Sequence, residues 1–314
     1  MDNIDYKCKR CDKQFETEKE FHYHFRDHGL RIAEYYQQEF PRYDLYNGEI
    51  IKFKSKDFYF NNDFNSKNHL RWWIMKQKEE DAKEWCRGAL ARRRLVKKEI
   101  YTPTQVELRS IMIPAANYLN KLFGNYYDLC EELGYKNKYY LPDGQVCEND
   151  LPTDKKIIID TRERTPLKFS GYETISSKLD VGDYALEDSD FSRNCAIERK
   201  SLADFYSTMS QGFDRFKKEM DRSVLSSTEV VVVTEALMDK VSGYKYSRSV
   251  GKKIKAEPDF VFHRMRQLIQ EYPNIQFIFV DGRQESERVI RKILASRGQF
   301  KDVDLQLHYD IGAL

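Results

Sequence analysis

The sequence predicts a mixed α/β protein of 314 residues, with a ββα unit at the N-terminus, a helical middle region and an α/β domain after it. Three observations predict this. Residues 6–28 place two cysteines and two histidines around three aromatic residues at the intervals a miniature ββα core needs. Residues 69–135 show helical apolar spacing punctuated by Pro and Gly. From residue 156, short runs rich in Ile and Val ("KKIIID", "EVVVVTE", "IQFIFV") read as buried strands with helical stretches between them.

Composition narrows the class. With 40% hydrophobic and 14% aromatic residues the chain can bury a core, and its length suits two or three domains. No apolar run approaches the ~20 residues that span a bilayer, and "MDNIDYKCKRC" has no signal-like apolar stretch. The expected setting is intracellular: cytoplasmic in a prokaryote or a virus-infected host, nuclear in a eukaryote. Net charge is only +2 although one third of the residues are charged, so a basic surface for nucleic acid has to arise by local segregation. Of the six cysteines only Cys8 and Cys11 are closely spaced, which argues for one metal site and reduced thiols elsewhere.

Residues 1–30 hold Cys8-x2-Cys11-x12-His24-x3-His28, with Tyr6, Phe15 and Phe21 as the small core. Two thiolates on a hairpin and two histidines four apart on one helix face make a closed tetrahedral zinc site. The pattern resembles the Cys2His2 zinc-finger family, whose base-reading positions fall here on Thr17, Glu20 and Tyr23. Glu16, Glu18 and Glu20 make an acidic helix start that a phosphate backbone repels, so DNA contact and protein contact both stand. His22 lies off the pattern and is expected at the surface.

Residues 31–100 read as a mainly helical region whose later half carries Arg87, Arg92, Arg93, Arg94, Lys97 and Lys98, a candidate DNA-backbone contact or a solvated helix face. Residues 101–136 read as a helix-turn-helix-like module. Thr102 caps a first helix with Pro103 at its first position, Pro114 begins a second, and Gly124 and Asn125 separate it from a third closed by Gly134. The end "FGNYYDLCEELGY" resembles the small helical repeats that accompany homing endonucleases, implying sequence-directed DNA binding; a plain helical domain is the alternative. Residues 137–155 read as a linker.

The stretch "CAIERKSLADF" is an apolar strand ending on three charges. Pleating puts Glu198 and Lys200 on one side, ~7 Å apart. One reading is a surface ion pair beside a helix capped by Ser201 with Asp204. The other is a metal-dependent nuclease, which needs further carboxylates. The strand "KKIIID" ends at Asp160 with Arg162 and Glu163 following, and Asp183 follows Gly182 at the start of another strand. If residues 183–188 and 194–200 pair antiparallel, Asp183 and Glu198 converge on one cation with Asp160 approaching from the next strand. Oxygen ligands of this kind suit Mg²⁺ or Mn²⁺.

Asp160-x-Arg162-Glu163 and Gly182-Asp183-x14-Glu198-Arg199-Lys200-x3-Asp204 resemble the XPF family of structure-selective DNA endonucleases, a branch of the restriction-endonuclease-like PD-(D/E)xK fold. The likeness runs over residues 156–296. It implies Asp160, Asp183 and Glu198 around magnesium, Lys200 near the attacking water and Arg199 toward the substrate phosphate, supported by Arg162, Glu163 and Asp204. It also implies a homodimer through this domain. Strict alternation, however, puts Arg199 on the face opposite its neighbours. Residues 297–314 form a C-terminal extension too short for the tandem helix-hairpin-helix of many relatives, so targeting is expected from the N-terminal modules. The reading is a DNA endonuclease of homing or of recombination and repair type. A non-cleaving DNA-binding regulator that uses the nuclease fold to dimerise is the alternative.

Overall fold

A computed structural model describes residues 6–40, 79–111, 113–139, 149–187, 195–244, 246–247, 255–296 and 298–314. The chain divides into two compact units, Met1–Ala82 and Lys83–Leu314. No described helix is long and apolar enough to cross a membrane.

In the first unit, strands β1 (Tyr6–Lys7) and β2 (Gln14–Phe15) pair antiparallel, and helix α1 (Glu18–His24) follows, ending in a 3-10 turn, Phe25–His28. Thr17 caps α1 in a reciprocal box with Glu20: each side chain accepts the other's backbone N–H, which satisfies two donors the helix end leaves open. A second helix, α2 (Ile32–Glu39), is packed on this unit. Its Tyr35 ring stacks on Phe25 at 3.8 Å, and Tyr36 bonds His22 at 2.9 Å. His22 is therefore buried rather than at the surface, because α2 covers that side of α1.

The second unit begins with the long helix α3 (Glu79–Val96), most of which lies within it. The module that follows contains α4 (Gln105–Ser110), α5 (Ala116–Phe123) and α6 (Tyr126–Glu132). The cap of α4 is Thr104, two residues beyond the expected Thr102; Glu107 completes its capping box, while the Thr102 hydroxyl donates to Asn137. Gly124, at φ +84°, closes α5, and Asn125 caps α6. Leu108, Leu119, Tyr126, Leu129 and Cys130 form the module's core with Cys86 and Leu90 of α3.

The rest of the unit is built on six strands: β3 (Lys156–Asp160), β4 (Glu173–Ser177), β5 (Tyr184–Leu186), β6 (Cys195–Lys200), β7 (Glu229–Thr234) and, after the two-residue strands β8 (Tyr246–Ser247) and β9 (Lys255–Ala256), β10 (Ile275–Phe279). The order is β10-β7-β6-β5-β3-β4, with β5 antiparallel to both neighbours and the other pairs parallel. Strands covered on both faces read as continuous apolar runs, as "VVVV" of β7 and "IQFIF" of β10 do. Helices α7 (Leu202–Met209), α8 (Phe213–Leu225), α9 (Met238–Gly243) and α10 (Pro258–Glu271) bury Phe205, Phe216 and Met265 in one core with Ala196, Val230 and Val232. Helix α11 (Arg283–Ala295) packs Val289, Ile290 and Ile293 against Ile197, Val231 and Val233 on the opposite face.

The residues read as linker and extension are structural where they are described. Leu151 and Tyr139 are buried. A 3-10 turn, Gln299–Asp302, and helix α12 (Leu305–Asp310) cover the edge strand β10, where Gln306 accepts from Phe279 N–H and donates to Phe279 O. Asp304 at the cap of α12 accepts from the Gln105 amide, and Asp310 accepts from Gln105 and Arg109. The helical module and the sheet thus share one interface.

Glu107 lies inside that interface, where Gln270 of α10 also donates to it. Burial first, and the nearby Glu99 charge second, push its carboxyl from 4.5 up to about 7, against the Thr104 and Gln270 bonds that favour the anion. The folded protein therefore prefers Glu107 protonated, and stability falls as pH rises between 4.5 and about 7. Thermal unfolding across that window should show the wild-type protein losing on the order of 3 kcal/mol relative to Glu107→Gln. Parallel curves for the two proteins would refute the assignment.

Candidate functional site

The pleat of β6 sorts the three charges at its end. Ala196 faces the α7–α8–α10 core and Ile197 the α11 core, so Glu198 and Lys200 lie on the first face and Arg199 on the second. Asp183 precedes Tyr184, whose ring is in the α11 core, and Asp160 follows Ile159, packed on the same side. Both carboxylates therefore share the face of Glu198 and Lys200.

The Gly182–Asp183 turn is pressed on β6. Gly182 has φ +77°, and a Cβ there would stand 3.0 Å from both Ala196 Cβ and Ile197 O, so only glycine fits. Asp183 N–H donates to Ile197 O at 2.7 Å, while Asp183 O accepts from Asp160 N–H at 2.8 Å. Its carboxylate accepts from Arg199 N–H at 2.8 Å. Burial, then the Glu198 charge, push the Asp183 carboxyl up to about 8, although the Arg199 amide and Lys200 pull the other way.

Lys200 is buried beneath this face, its Nζ 2.6 Å from Glu198 Oε1 and 5.2 Å from the Phe216 ring centre. Asp160 is engaged differently. Its oxygens accept from Arg162 N–H, Nε and Nη2 and from Leu179 N–H, at 2.7–3.1 Å. Burial alone would raise its carboxyl; these donors hold it below the usual value instead. Asp160 thus braces the loop after β3. Among the described residues, no three carboxylates bring ligand oxygens within 4.8 Å of one another.

Arg199 departs from the expected orientation toward a phosphate. Its side chain is 8% exposed, with Nη1 2.8 Å from Glu235 Oε1 and Nη2 3.3 Å from Glu163 Oε1 and 3.1 Å from Thr165 O. Alternation holds without a bulge, so the guanidinium ties the ends of β6 and β7 to the loop after β3. Glu163 supports that clamp. Ser201 caps α7, accepting from Asp204 N–H and donating to its carboxylate.

Two carboxylates of the site were missed in the sequence. Glu235 follows the apolar run of β7 and shows no local sign of its partner. Glu219 of α8 accepts from Gly182 N–H at 3.2 Å, and burial, then Glu198, raise its carboxyl. Its one sequence signal is position: it adjoins Met220 and follows Phe216 by a turn, at the rim of the buried stripe.

The basic run of α3 is partly consumed by structure. Arg93 pairs with buried Glu99, Arg87 reaches Glu132 at 2.7 Å, and Arg94 Nε donates to Gly134 O at 2.8 Å. Arg92, Lys97 and Lys98 are exposed.

In the first unit Cys8, Cys11, His24 and His28 bring their ligand atoms within 4.8 Å of one another. Cys8 Sγ is 3.5 Å from His28 Nε2, Cys11 Sγ 3.1 Å from His24 Nε2, and the two Nε2 atoms are 3.1 Å apart. Tetrahedral bonds of ~2.3 Å to sulfur and ~2.0 Å to nitrogen place ligand atoms roughly 3.3–3.8 Å apart. The Cys8–His28 separation falls in that range and the other two are a few tenths of an ångström shorter, so a small outward shift makes the set fit such a cation. Burial raises the Cys8 thiol, but the Arg10 and Cys11 amides with Cys11 and His24 bring it down to about 6, toward the thiolate a cation needs. His24 Nδ1 is oriented by Asp27 at 2.9 Å. Of the expected base-reading positions, Thr17 and Glu20 are committed to the cap of α1, and Tyr23 is exposed with the Arg26 guanidinium 4.8 Å from its ring centre.

Comparison with known proteins bears on the second unit. Residues 159–293 match the ERCC4 domain family. The matched segment runs from the end of β3 into α11. The chain is also similar to the structure of XPF from Aeropyrum pernix in complex with DNA, at 20% identity over 45% of this chain and 62% of that one, with a TM-score of 0.33. A second structure, XPF from Aeropyrum pernix, is 19% identical over 46% of this chain and 68% of that one, again at 0.33. The chain thus spans less than two thirds of the first of these. No curated protein matches the sequence. Within the matched segment fall Asp160, Asp183, Glu198, Lys200 and Glu219.

Proposed function

We propose that the protein is a DNA endonuclease that uses Mg²⁺ or Mn²⁺ and is targeted by its N-terminal modules. The observation that carries this reading is the convergence of Asp183, Glu198 and Lys200 on one sheet face, inside the segment that matches the ERCC4 domain. A solvated surface pair would not be seated at the end of a central strand with a lysine buried under it.

The residues fit a divalent cation. Glu198 holds the Lys200 ammonium at 2.6 Å, Asp183 and Glu219 feel its charge, and burial followed by the Glu198 charge raises the Asp183 carboxyl to about 8. A cation would relieve that repulsion and keep the site ionised. Asp183 and Glu198 are the residues that would hold it, with water filling the remaining positions. When bound, the ion neutralises phosphodiester oxygens and makes a bound water more acidic. Lys200, held against Glu198, aims its ammonium at the charge that develops on the phosphate and orients the attacking water. Asp160 and Arg162 fix the loop beside the site, and Arg199 with Glu163 and Glu235 locks the strand ends so that the carboxylates keep their spacing. Exposed Arg92, Lys97 and Lys98 supply contacts to the DNA backbone.

The experiment is nicking of supercoiled, linear and branched DNA with and without Mg²⁺. Lys200→Ala and Asp183→Asn should bind DNA as the wild type does but cut ~100-fold more slowly or worse. Joint replacement of Arg92, Lys97 and Lys98 by Ala should instead weaken binding and flatten its salt dependence. Binding without Mg²⁺-dependent cutting on any substrate would replace this reading by a non-cleaving regulator.

The Cys8, Cys11, His24, His28 set is proposed to hold structural zinc. Metal analysis should find about one zinc per chain, lost in Cys8→Ser together with the fold of the first unit. A metal-free first unit with native spectra would end that assignment.

The homodimer belongs to the same reading and rests on the XPF resemblance, since it would present two active sites to a duplex. Light scattering at micromolar concentration should report a dimer; a monomer with and without DNA would remove it.

A further inference from the structure

We infer that Glu219 is the positioning residue for Asp183, acting through its hydrogen bond to the Gly182 amide. The consequence for cutting rests on the nuclease reading above; the structural claim does not. Asp183's own backbone is fixed from both sides, by Ile197 O and by Asp160 N–H, and its carboxylate is fixed by Arg199 N–H. Gly182 is the weak point of the turn. It has no side chain, and there is no room for one against Ala196 Cβ and Ile197 O. A glycine reaches φ of either sign at similar cost, so its peptide plane needs an external partner to stay put.

Glu219 provides that partner from a different layer of the fold. Its helix is anchored by Phe213, Phe216 and Met220 in the same core that holds Val181 and Ala196. The carboxylate therefore arrives at Gly182 N–H, 3.2 Å away, on a rigid element, and Lys200 lies close enough to favour its charge. Asp183 is thus tied to the sheet, and the Gly182 amide before it is tied to the helix beneath. Releasing the Gly182 amide would let its peptide rotate, leaving the three bonds at Asp183 to hold the carboxylate beside Glu198 without support from the turn.

The test compares Glu219→Gln, which keeps an oxygen acceptor, with Glu219→Ala and Glu219→Met, which do not. Three quantities are read: hydrogen exchange of the Gly182 amide by NMR, Mn²⁺ affinity by calorimetry, and kcat and KM for nicking. Glu219→Ala should speed Gly182 exchange ~10-fold or more, and lower Mn²⁺ affinity and kcat by ~10- to 100-fold at constant KM for DNA. Glu219→Gln should restore all three to within a few fold. Should the alanine variant fail to fold, Glu219→Met, closer in volume, carries the same expectation. Unchanged Gly182 exchange in the variants lacking an acceptor overturns the inference. So does a glutamine variant as impaired as alanine, which would assign the effect to charge. A wild-type protein that neither binds Mn²⁺ nor nicks DNA sinks the nuclease reading, while Gly182 exchange still decides the positioning claim.

Discussion

The structure of the second unit turns on β6 being buried on both faces while ending in Glu-Arg-Lys. A pleated strand must send successive side chains to opposite sides, so these charges cannot all reach one solvent-lined cleft. Glu198 and Lys200 emerge toward α8; Arg199 emerges toward α11 and is enclosed there. An enclosed guanidinium without partners would cost several kcal/mol, and Glu163 and Glu235 offset that cost. The clamp that results joins the ends of β6 and β7 to the loop after β3. One face of the strand end thereby becomes a brace for the other.

On the opposite face the balance of charge is reversed. Asp183, Glu198 and Glu219 outnumber Lys200, and the nearby Asp160 has its own arginine. Asp160 and Asp183 occupy equivalent-looking strand ends on one face, yet one carboxyl is held below its usual value and the other raised to about 8. Burial acts on both in the same direction; donors decide the difference. Asp160 collects Arg162 and two amides, whereas Asp183 collects one amide and a neighbouring acid. The same burial therefore leaves the Asp160 carboxyl ionised and favours the proton on Asp183.

A second constraint comes from the C-terminal segment. The 3-10 turn and α12 cover β10, whose edge would otherwise present unpaired backbone groups, and the same segment ties the helical module through Asp304 and Asp310. Leu307 even enters the module's core. The module, α3 and the sheet are therefore one folded body. Half of the basic run on and just after α3 helps to make it so, leaving Arg92, Lys97 and Lys98 at the surface.

Much of this was legible in order. The Cys8, Cys11, His24, His28 cluster of the first unit, the strands ending at Asp160 and Lys200, the antiparallel partner that Asp183 precedes and the caps at Ser201, Asn125 and Gly124 all follow from spacing, alternation and turn chemistry, which are local. Alternation even placed Arg199 on the far face, against the role the family resemblance implied for it. What sequence could not show were pairings between residues distant in the chain: Arg199 with Glu163 and Glu235, Gln105 with Asp304, and Glu219 with Gly182. His22 was misplaced for the same reason, since its burial depends on a helix that lies outside the finger pattern. Local periodicity determines which face a side chain occupies; only the packing of one element on another decides which partner meets it there and whether its charge is spent on structure or left for chemistry.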